Sequence, residues 1–302
     1  MKRQRRMYQI ISACAVVSLL LLTIGCSNEP APGPMSPLNP EDKRALAEPK
    51  ENGTATGEIR PVARQNPARA LAKVTTYDVK AMLHLQDLVD ELQYIVTNKP
   101  GTAAADKIED VVAKVVSAQN ELKKTPPDKS AALGNLAGAK GDLQAAIKDK
   151  LLNSTQGNQF LNEIKAIEAI IKTGGQVDHD CRGTSKFLWM KRSEGGLIAH
   201  CGHQIIVPAN ALSNDATMSI SVDKSSYITV DCGPDGWFNK PVTVVISYRD
   251  GDLTSIDLNK LTLAWHDTNL NKWIDLGGNV DTIRKIVKVV TWHFTQYTIS
   301  MK

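Results

Sequence analysis

Apolar residues recur at helical spacing between residues 71 and 175, and this pattern predicts four helices. Breaks at Pro100-Gly101 and Pro126-Pro127 separate the first three helices, and Gly174-Gly175 ends the fourth. Asp128 is placed to cap the third helix. Short loops between helices favour an up-down four-helix bundle. The charged residues between the apolar stripes are typical of solvated helix faces.

The predicted third helix contains three glycines on one side, Gly134, Gly138 and Gly141. Each glycine costs about 1 kcal/mol relative to alanine in a helix interior. We therefore expect a close approach of a neighbouring backbone at this side of the helix.

The pattern changes after Gly175 to alternating polar and β-branched or aromatic residues, which is typical of strands. The clearest predicted strands are 219–222, 242–248, 261–265 and 286–290. Short strands separated by turn residues predict a β-sandwich over residues 176–302. The predicted fold class is therefore α+β and multidomain, with an N-terminal α-helical bundle (71–175) followed by a C-terminal all-β sandwich.

Residues 1–25 have the organisation of a secretory signal peptide. A cationic start precedes an apolar run from Ile10 to Ile24, which is too short to span a bilayer as a helix. The run ends in Leu22-Thr23-Ile24-Gly25-Cys26, which resembles the lipobox of bacterial lipoproteins. The resemblance implies that Cys26 is acylated and becomes the first mature residue; an ordinary cleaved signal is the alternative. Ser27, in place of an aspartate, favours the outer membrane or the cell surface.

Residues 26–70 predict a disordered, proline-rich tether. Eight of the fourteen prolines of the chain lie between residues 27 and 70, with few aromatic residues. Such a composition buries too little apolar surface to offset the entropy of ordering. A lipid anchor followed by this spacer predicts a protein held near a membrane surface.

The charge balance argues against nucleic acid as a partner. The formal net charge is +4, from 36 basic and 32 acidic residues. The excess lies in the signal peptide, at Lys2, Arg3, Arg5 and Arg6. The remaining chain is neutral, whereas binding of phosphate backbones requires an excess of cations.

The helical segment resembles a known type of module in one stretch. Residues 122–152 are similar to the FIMAH-type helical modules of secreted bacterial proteins, and the similarity lies in Pro127-Asp128-Lys129, Ala131-Ala132-Leu133-Gly134 and Gly141-Asp142-Leu143. This resemblance implies no particular activity.

Residues 190–300 resemble the ZU-five domain, named from zonula occludens and netrin-receptor proteins. The residues that carry the resemblance are Gly195-Gly196, Ile206-Val207-Pro208-Ala209-Asn210-Ala211-Leu212, Gly233-Pro234, Phe238, Lys240-Pro241-Val242, Trp273 and His293-Phe294-Thr295-Gln296-Tyr297. The resemblance implies a β-sandwich that serves as an interaction or spacing module, usually without enzymatic activity. Asn210 replaces a common glycine, which is acceptable because asparagine tolerates left-handed backbone geometry.

The last motif, His293-Phe294-Thr295-Gln296-Tyr297, suggests a second function, because some members of the ZU-five family cleave their own chain at this motif. By this resemblance Thr295 would attack the carbonyl of Phe294, and His293 would assist the proton transfer. The other interpretation is that Phe294 and Tyr297 simply pack in the sandwich. Thr295 also departs from the serine usual in the family.

Three cysteines remain after the signal and the lipidation site, namely Cys181, Cys201 and Cys232. An oxidising compartment favours one disulfide and one thiol. Cys181–Cys201 is the preferred pair, since it ties the entry segment to the first strand, and Cys201–Cys232 stays open. A zinc site is the competing hypothesis, built from His179, Cys181, His200, Cys201 and His203. Its spacing matches no familiar zinc pattern, so we expect no metal or other cofactor.

Trp237 is the best candidate for an exposed aromatic residue, because it lies beside the turn residues Gly233 to Gly236. A sugar ring could stack on its indole. Together these features predict a membrane-anchored lipoprotein with a non-enzymatic interaction or structural role towards a protein or polysaccharide. The two alternatives are a self-cleaving module and a carbohydrate-binding accessory unit.

Overall fold

The computed structural model describes residues 59–64, 79–173, 181–254 and 256–301. Four helices come first in the chain: α1 (Val79–Asn98), α2 (Ala103–Leu122), α3 (Lys129–Lys148) and α4 (Ser154–Thr173). They end within a few residues of the predicted breaks. The helical region and the β-region that follows it confirm the predicted fold class.

Local capping explains where two of the helices begin. The side chain of Thr102 accepts a hydrogen bond from the backbone nitrogen of Ala105 at the start of α2. Asp128 caps α3 as predicted, because its Oδ1 accepts a hydrogen bond from Ala131 N at 2.9 Å. Such caps satisfy amide groups that have no partner inside the helix.

The apolar stripes of the helices face one another and form a buried core. Leu85, Leu88 and Leu92 of α1 are fully buried, as are Leu136 of α3 and Ile164 of α4. The same continuous cluster extends into the β-region. None of the described helices is long and apolar enough to cross a membrane.

The expected close approach at the glycines of α3 is wrong for two of them. A Cβ atom built on Gly134 or Gly141 would meet nothing within 4 Å. At Gly138 it would lie 3.2 Å from the flexible Lys114 side chain. These glycines face open space or a mobile side chain, so backbone contact does not compensate their cost. The close approach occurs instead at Gly157 of α4, where a Cβ would lie 2.5 Å from Ile147 Cγ1.

We expect Gly134→Ala and Gly141→Ala to stabilise the protein by about 1 kcal/mol each. Alanine loses less backbone entropy on folding and meets no neighbour at these two sites. Thermal denaturation should show the melting temperature rise by about 2–4 °C per substitution. Gly157→Ala is the matched control and should lower it, because the new methyl group overlaps Ile147. A fall in melting temperature for Gly134→Ala would contradict the prediction.

The described residues contain ten strands, namely nine after the helices and one short strand before them. They are β1 (Arg60–Pro61), β2 (Ser185–Met190), β3 (Gly196–His200), β4 (His203–Val207), β5 (Ala216–Val222), β6 (Thr229–Ser247), β7 (Leu261–Asp267), β8 (Lys272–Gly277), β9 (Asn279–Asp281) and β10 (Ile286–Met301). A 3-10 turn at Leu258–Lys260 precedes β7. Three of the four clearest predicted strands lie within these elements, and the fourth, 242–248, extends one residue past the end of β6.

The two long strands, β6 and β10, form the centre of the β-region. They pair antiparallel from Ile286↔Ser247 to Thr298↔Thr229. The main strand order is β2-β5-β6-β10-β7-β8. β4, which also pairs with β3, pairs with residues 243–245 of β6, beyond the stretch of β6 that pairs with β5. Asn210 lies after β4 and has a φ of 64°. This is the left-handed conformation expected at a position where the ZU-five family commonly has glycine.

Residues 59–64 correct the prediction that the whole of 26–70 is a disordered tether. Arg60 and Pro61 pair with Met301 and Ser300 of β10. Val62 follows in the core with only 1% of its surface exposed. Hydrogen bonds to the β10 edge and burial of one valine outweigh the entropy of ordering this short stretch.

Helix α1 joins the helices to the β-region by packing on β3. All five residues of β3 are buried, since the helix covers them. Tyr94 of α1 donates a hydrogen bond to Val207 O at 3.1 Å, and Lys99 Nζ lies 2.5 Å from Glu194 Oε2. Trp189 N also donates to Gln159 Oε1 of α4 at 2.9 Å. Two helices therefore hold the edge of the β-region.

Candidate functional site

Three aromatic rings lie in a row across the adjacent strands β6, β10 and β7. The ring centroids of Trp237 and His293 are 5.1 Å apart, and those of His293 and Trp265 are 4.5 Å apart. Trp237 and His293 are direct cross-strand partners in the β6–β10 register. We call Trp237, His293 and Trp265 the aromatic row.

The outer end of the aromatic row is open to solvent and the inner end is not. Trp237 keeps 36% of its surface exposed, as the sequence predicted for this residue. Its exposed neighbours Asp235 and Lys240 lie on the same strand. At the inner end Trp265 Nε1 is buried, with no hydrogen-bond partner in the described part of the chain. The exposed indole of Trp237 therefore packs against His293, which in turn packs against Trp265.

His293, at the centre of the aromatic row, is partly buried. Burial lowers its pKa from the ordinary value, since a charged imidazole is poorly solvated there. Its backbone carbonyl accepts a hydrogen bond from Tyr297 Oη at 2.6 Å. Burial therefore favours the uncharged form of this ring in the aromatic row.

The predicted self-cleavage residues lie in β10, where pairing with β6 is irregular. The register shifts between Phe294 and Gln296, and the extra residues, 232–235, belong to β6 and face Thr295. The hydroxyl of Thr295 donates to His266 O at 3.1 Å. The ring of Phe294 packs edge-on against Phe238 at 4.5 Å. The hydroxyl of the candidate nucleophile is therefore engaged by a carbonyl of the neighbouring strand β7.

The preferred cysteine pairing is confirmed by a Cys181–Cys201 disulfide. It links the segment before β2 to the turn between β3 and β4. Cys232 is the remaining thiol and lies buried in β6. Burial raises its pKa, so the reactive thiolate is strongly disfavoured.

The competing zinc hypothesis loses both of its sulfur ligands to this disulfide. His200 Nε2 lies 2.8 Å from Thr184 Oγ1, and His203 Nδ1 accepts a hydrogen bond from Ser247 N at 3.1 Å. Burial lowers the pKa of His203 to about 3. Over the described ranges, no group of three or more His, Cys, Asp or Glu side chains is placed to hold a metal ion. His179 and the lipidation residue Cys26 lie outside the described residues.

A buried group of charged side chains lies where the helices meet the strands, and the sequence analysis did not predict it. Lys186 Nζ of β2 lies 2.8 Å from Glu91 Oε1 of α1 and 2.7 Å from Glu163 Oε1 of α4. Asp87 of α1 is buried nearby. We call Asp87, Glu91, Glu163 and Lys186 the junction cluster.

The junction cluster corrects the expectation that charges between apolar stripes are solvated. Asp87 and Glu91 are only 2% and 1% exposed. Glu91 Oε1 accepts a bond from Ala199 N at 2.7 Å, and Asp87 Oδ1 accepts one from Gly202 N at 3.2 Å. Asp87 Oδ2 and Glu91 Oε2 have no partner among the described residues. The burial of Asp87 and Glu91 could have been inferred from one feature of the sequence: they are four residues apart and lie beside the leucine stripe of α1.

Burial sets the ionisation of the junction cluster. Desolvation raises the pKa of Asp87 to about 7, against the attraction of Lys186. The pKa of Glu91 is raised for the same reason. The acidic partners raise the pKa of Lys186, which therefore stays charged.

No protein-family model matches the sequence, and no curated protein is similar to it. The lipobox, FIMAH-type and ZU-five resemblances therefore rest on the residues quoted for them.

Proposed function

We propose that the protein is a non-enzymatic interaction module, exported and held on a membrane through acylated Cys26. Its destination is the outer membrane or the cell surface. Its partner, a protein or a polysaccharide, binds the β-region at the exposed end of the aromatic row. Among these partners the row favours a polysaccharide, because a sugar ring can stack on a fixed indole.

The aromatic row is the observation that carries this proposal. An isolated surface tryptophan loses rotamer freedom when it binds a partner. Trp237 is already held by His293, which is itself held by Trp265. Pre-organisation of this kind lowers the entropy cost of binding. Export is supported separately by the Cys181–Cys201 disulfide, since such bonds persist in oxidising compartments.

The proposal is tested by binding of the mature chain to purified cell-wall and glycan fractions. Trp237→Ala should weaken binding at least tenfold, about 1.4 kcal/mol, because it removes the contact surface. Phe187→Ala is the matched control, since Phe187 is an aromatic residue of β2 with 59% of its surface exposed. Circular dichroism should show both variants folded. Equal binding by wild type and Trp237→Ala would overturn the aromatic row as the site.

Self-cleavage between Phe294 and Thr295 is the alternative that one observation favours. The register shift between Phe294 and Gln296 interrupts the pairing of β10 with β6 at this bond. The denatured intact mass of the purified chain distinguishes the two functions. Loss of residues 295–302, abolished in Thr295→Ala, would establish cleavage; a full-length mass would leave the interaction module alone.

A further inference from the structure

A short segment from before the helices is inserted into the β-region and is bonded on two sides. We call residues 60–64, which include β1, the strap. On one side Val62 N donates a hydrogen bond to Ile299 O at 2.8 Å. On the other side Asp252 N donates to Ala63 O at 2.8 Å. We call the residues that hold the strap the slot, namely 226–228, 251–252 and 299–301.

The slot encloses two side chains of the strap. Val62 keeps 1% of its surface exposed, and a Cβ atom built on Gly251 would lie 3.3 Å from its Cγ1. Two residues later the side chain of Arg64 is 8% exposed, and its Nε donates to Tyr227 O at 2.9 Å. Residues two apart in a strand share a face. The slot therefore fits an extended segment with an apolar residue two places before an arginine.

The strap is separated along the chain from the helices that follow it. Residues 65–78 lie between the strap and α1, and fourteen residues span at most about 50 Å when extended. Val62 is the one buried apolar side chain of the strap. Segments that bury little apolar surface open at a lower free energy than the whole fold. The strap can therefore leave its slot while the helices and the remaining strands stay folded.

Opening of the strap leaves the slot as an unpaired sheet edge. The backbone groups that it bonds, Ser226 O, Ile228 N and Ile299 O, then lack their partners, and such edges pair with other extended segments. The strap of a second copy has the sequence that the slot fits. It would make the same contacts there, so an exchange between two copies loses no hydrogen bond and no apolar burial.

We propose that two copies of this chain exchange their straps and form a two-fold dimer. Each strap fills the slot of the other copy, with Val62 and Arg64 in the positions that they occupy within one chain. Residues 65–78 then connect the two copies, because each of these segments runs from one fold to the other. This inference does not rest on the proposed function, since it uses neither the aromatic row nor acylation of Cys26.

The test is disulfide formation between chains at the pair Ala63↔Tyr227. Arg64 N and Ile228 N donate their bonds on either side of this pair, so Ala63 and Tyr227 face each other without bonding each other. Side chains lie closest at such pairs, and both residues are exposed. The mature chain with Ala63→Cys is incubated with the mature chain with Tyr227→Cys under oxidised glutathione. A linked heterodimer forms when the strap of one copy lies in the slot of the other.

The control for random collision is the pair Phe187→Cys and Ser219→Cys on separate chains, since these residues face each other in β2 and β5, outside the strap. The strap pair should give at least tenfold more linked heterodimer than this control. Adding Val62→Asp to the Ala63→Cys chain should lower the yield at least tenfold, because a carboxylate does not seat in the apolar part of the slot. A yield no higher than that of the control, or one that Val62→Asp leaves unchanged, would overturn the proposal.

Discussion

Lys186→Met is expected to lower the free energy of unfolding by about 3–5 kcal/mol. Lys186 Nζ is the cation between Glu91 and Glu163, and the Glu91 side chain has no exposed surface. Without the ammonium, the buried Glu91 and the largely buried Glu163 lose their shared counter-charge. Urea denaturation followed by circular dichroism measures the loss.

The control for this prediction is Lys191→Met, since Lys191 directly follows β2, the strand that contains Lys186. Lys191 also faces a glutamate, with 3.4 Å between its Nζ and Glu194 Oε1, but half of its side chain is exposed. An exposed pair contributes at most about 1 kcal/mol. Adding Glu91→Gln to Lys186→Met should recover part of the loss, since it removes one unpaired charge. A loss below 1 kcal/mol for Lys186→Met would show that the junction cluster is not held by this ion pair.

The features predicted correctly from the sequence are those that neighbouring residues determine. The helices follow from the 3.6-residue period of the leucine stripes, and Asp128 caps α3 through an amide only three residues away. The Cys181–Cys201 disulfide was preferred to Cys201–Cys232 because it ties the entry segment to the first strand. Trp237 was expected at the surface because turn residues precede it.

The features that were missed depend on contacts between distant parts of the chain. β1 lies in a proline-rich stretch and pairs with the end of β10, which nothing near Arg60 indicates. The junction cluster brings Glu91, Glu163 and Lys186 together from two helices and a strand. The periodicity of α1 alone cannot show that β3 covers the face carrying Asp87 and Glu91. The aromatic row likewise requires the register of β6, β10 and β7.

The second large effect is a dependence of stability on pH through Asp87. Its pKa in the folded protein is about 7, because burial disfavours the carboxylate, against an ordinary value of 3.8. Between these values the folded state holds a proton that the unfolded state has lost. The contribution of Asp87 to stability is therefore greatest below about pH 4 and is lost as the pH rises through 7. A difference of this size corresponds to roughly 4 kcal/mol.

Buried His203 acts in the opposite direction and must be separated from Asp87. Its folded pKa of about 3 lies below the ordinary 6.5, so its contribution to stability rises with pH between those values. The difference between wild type and Asp87→Asn at each pH cancels the effect of His203. Asp87→Asn should gain roughly 4 kcal/mol relative to wild type between pH 4 and pH 8, as measured by urea denaturation.

Asp142→Asn is the control of opposite sign for this pH series. The hydrogen bond from Lys114 lowers the pKa of Asp142, so its carboxylate stabilises the folded state once ionised. Its replacement should therefore become more destabilising, not less, as the pH rises through the acidic range. A flat difference between wild type and Asp87→Asn from pH 4 to pH 8 would mean that Asp87 ionises as it does in the unfolded chain. The junction would then be open to water, because only solvation of Oδ2 could offset its burial without a partner.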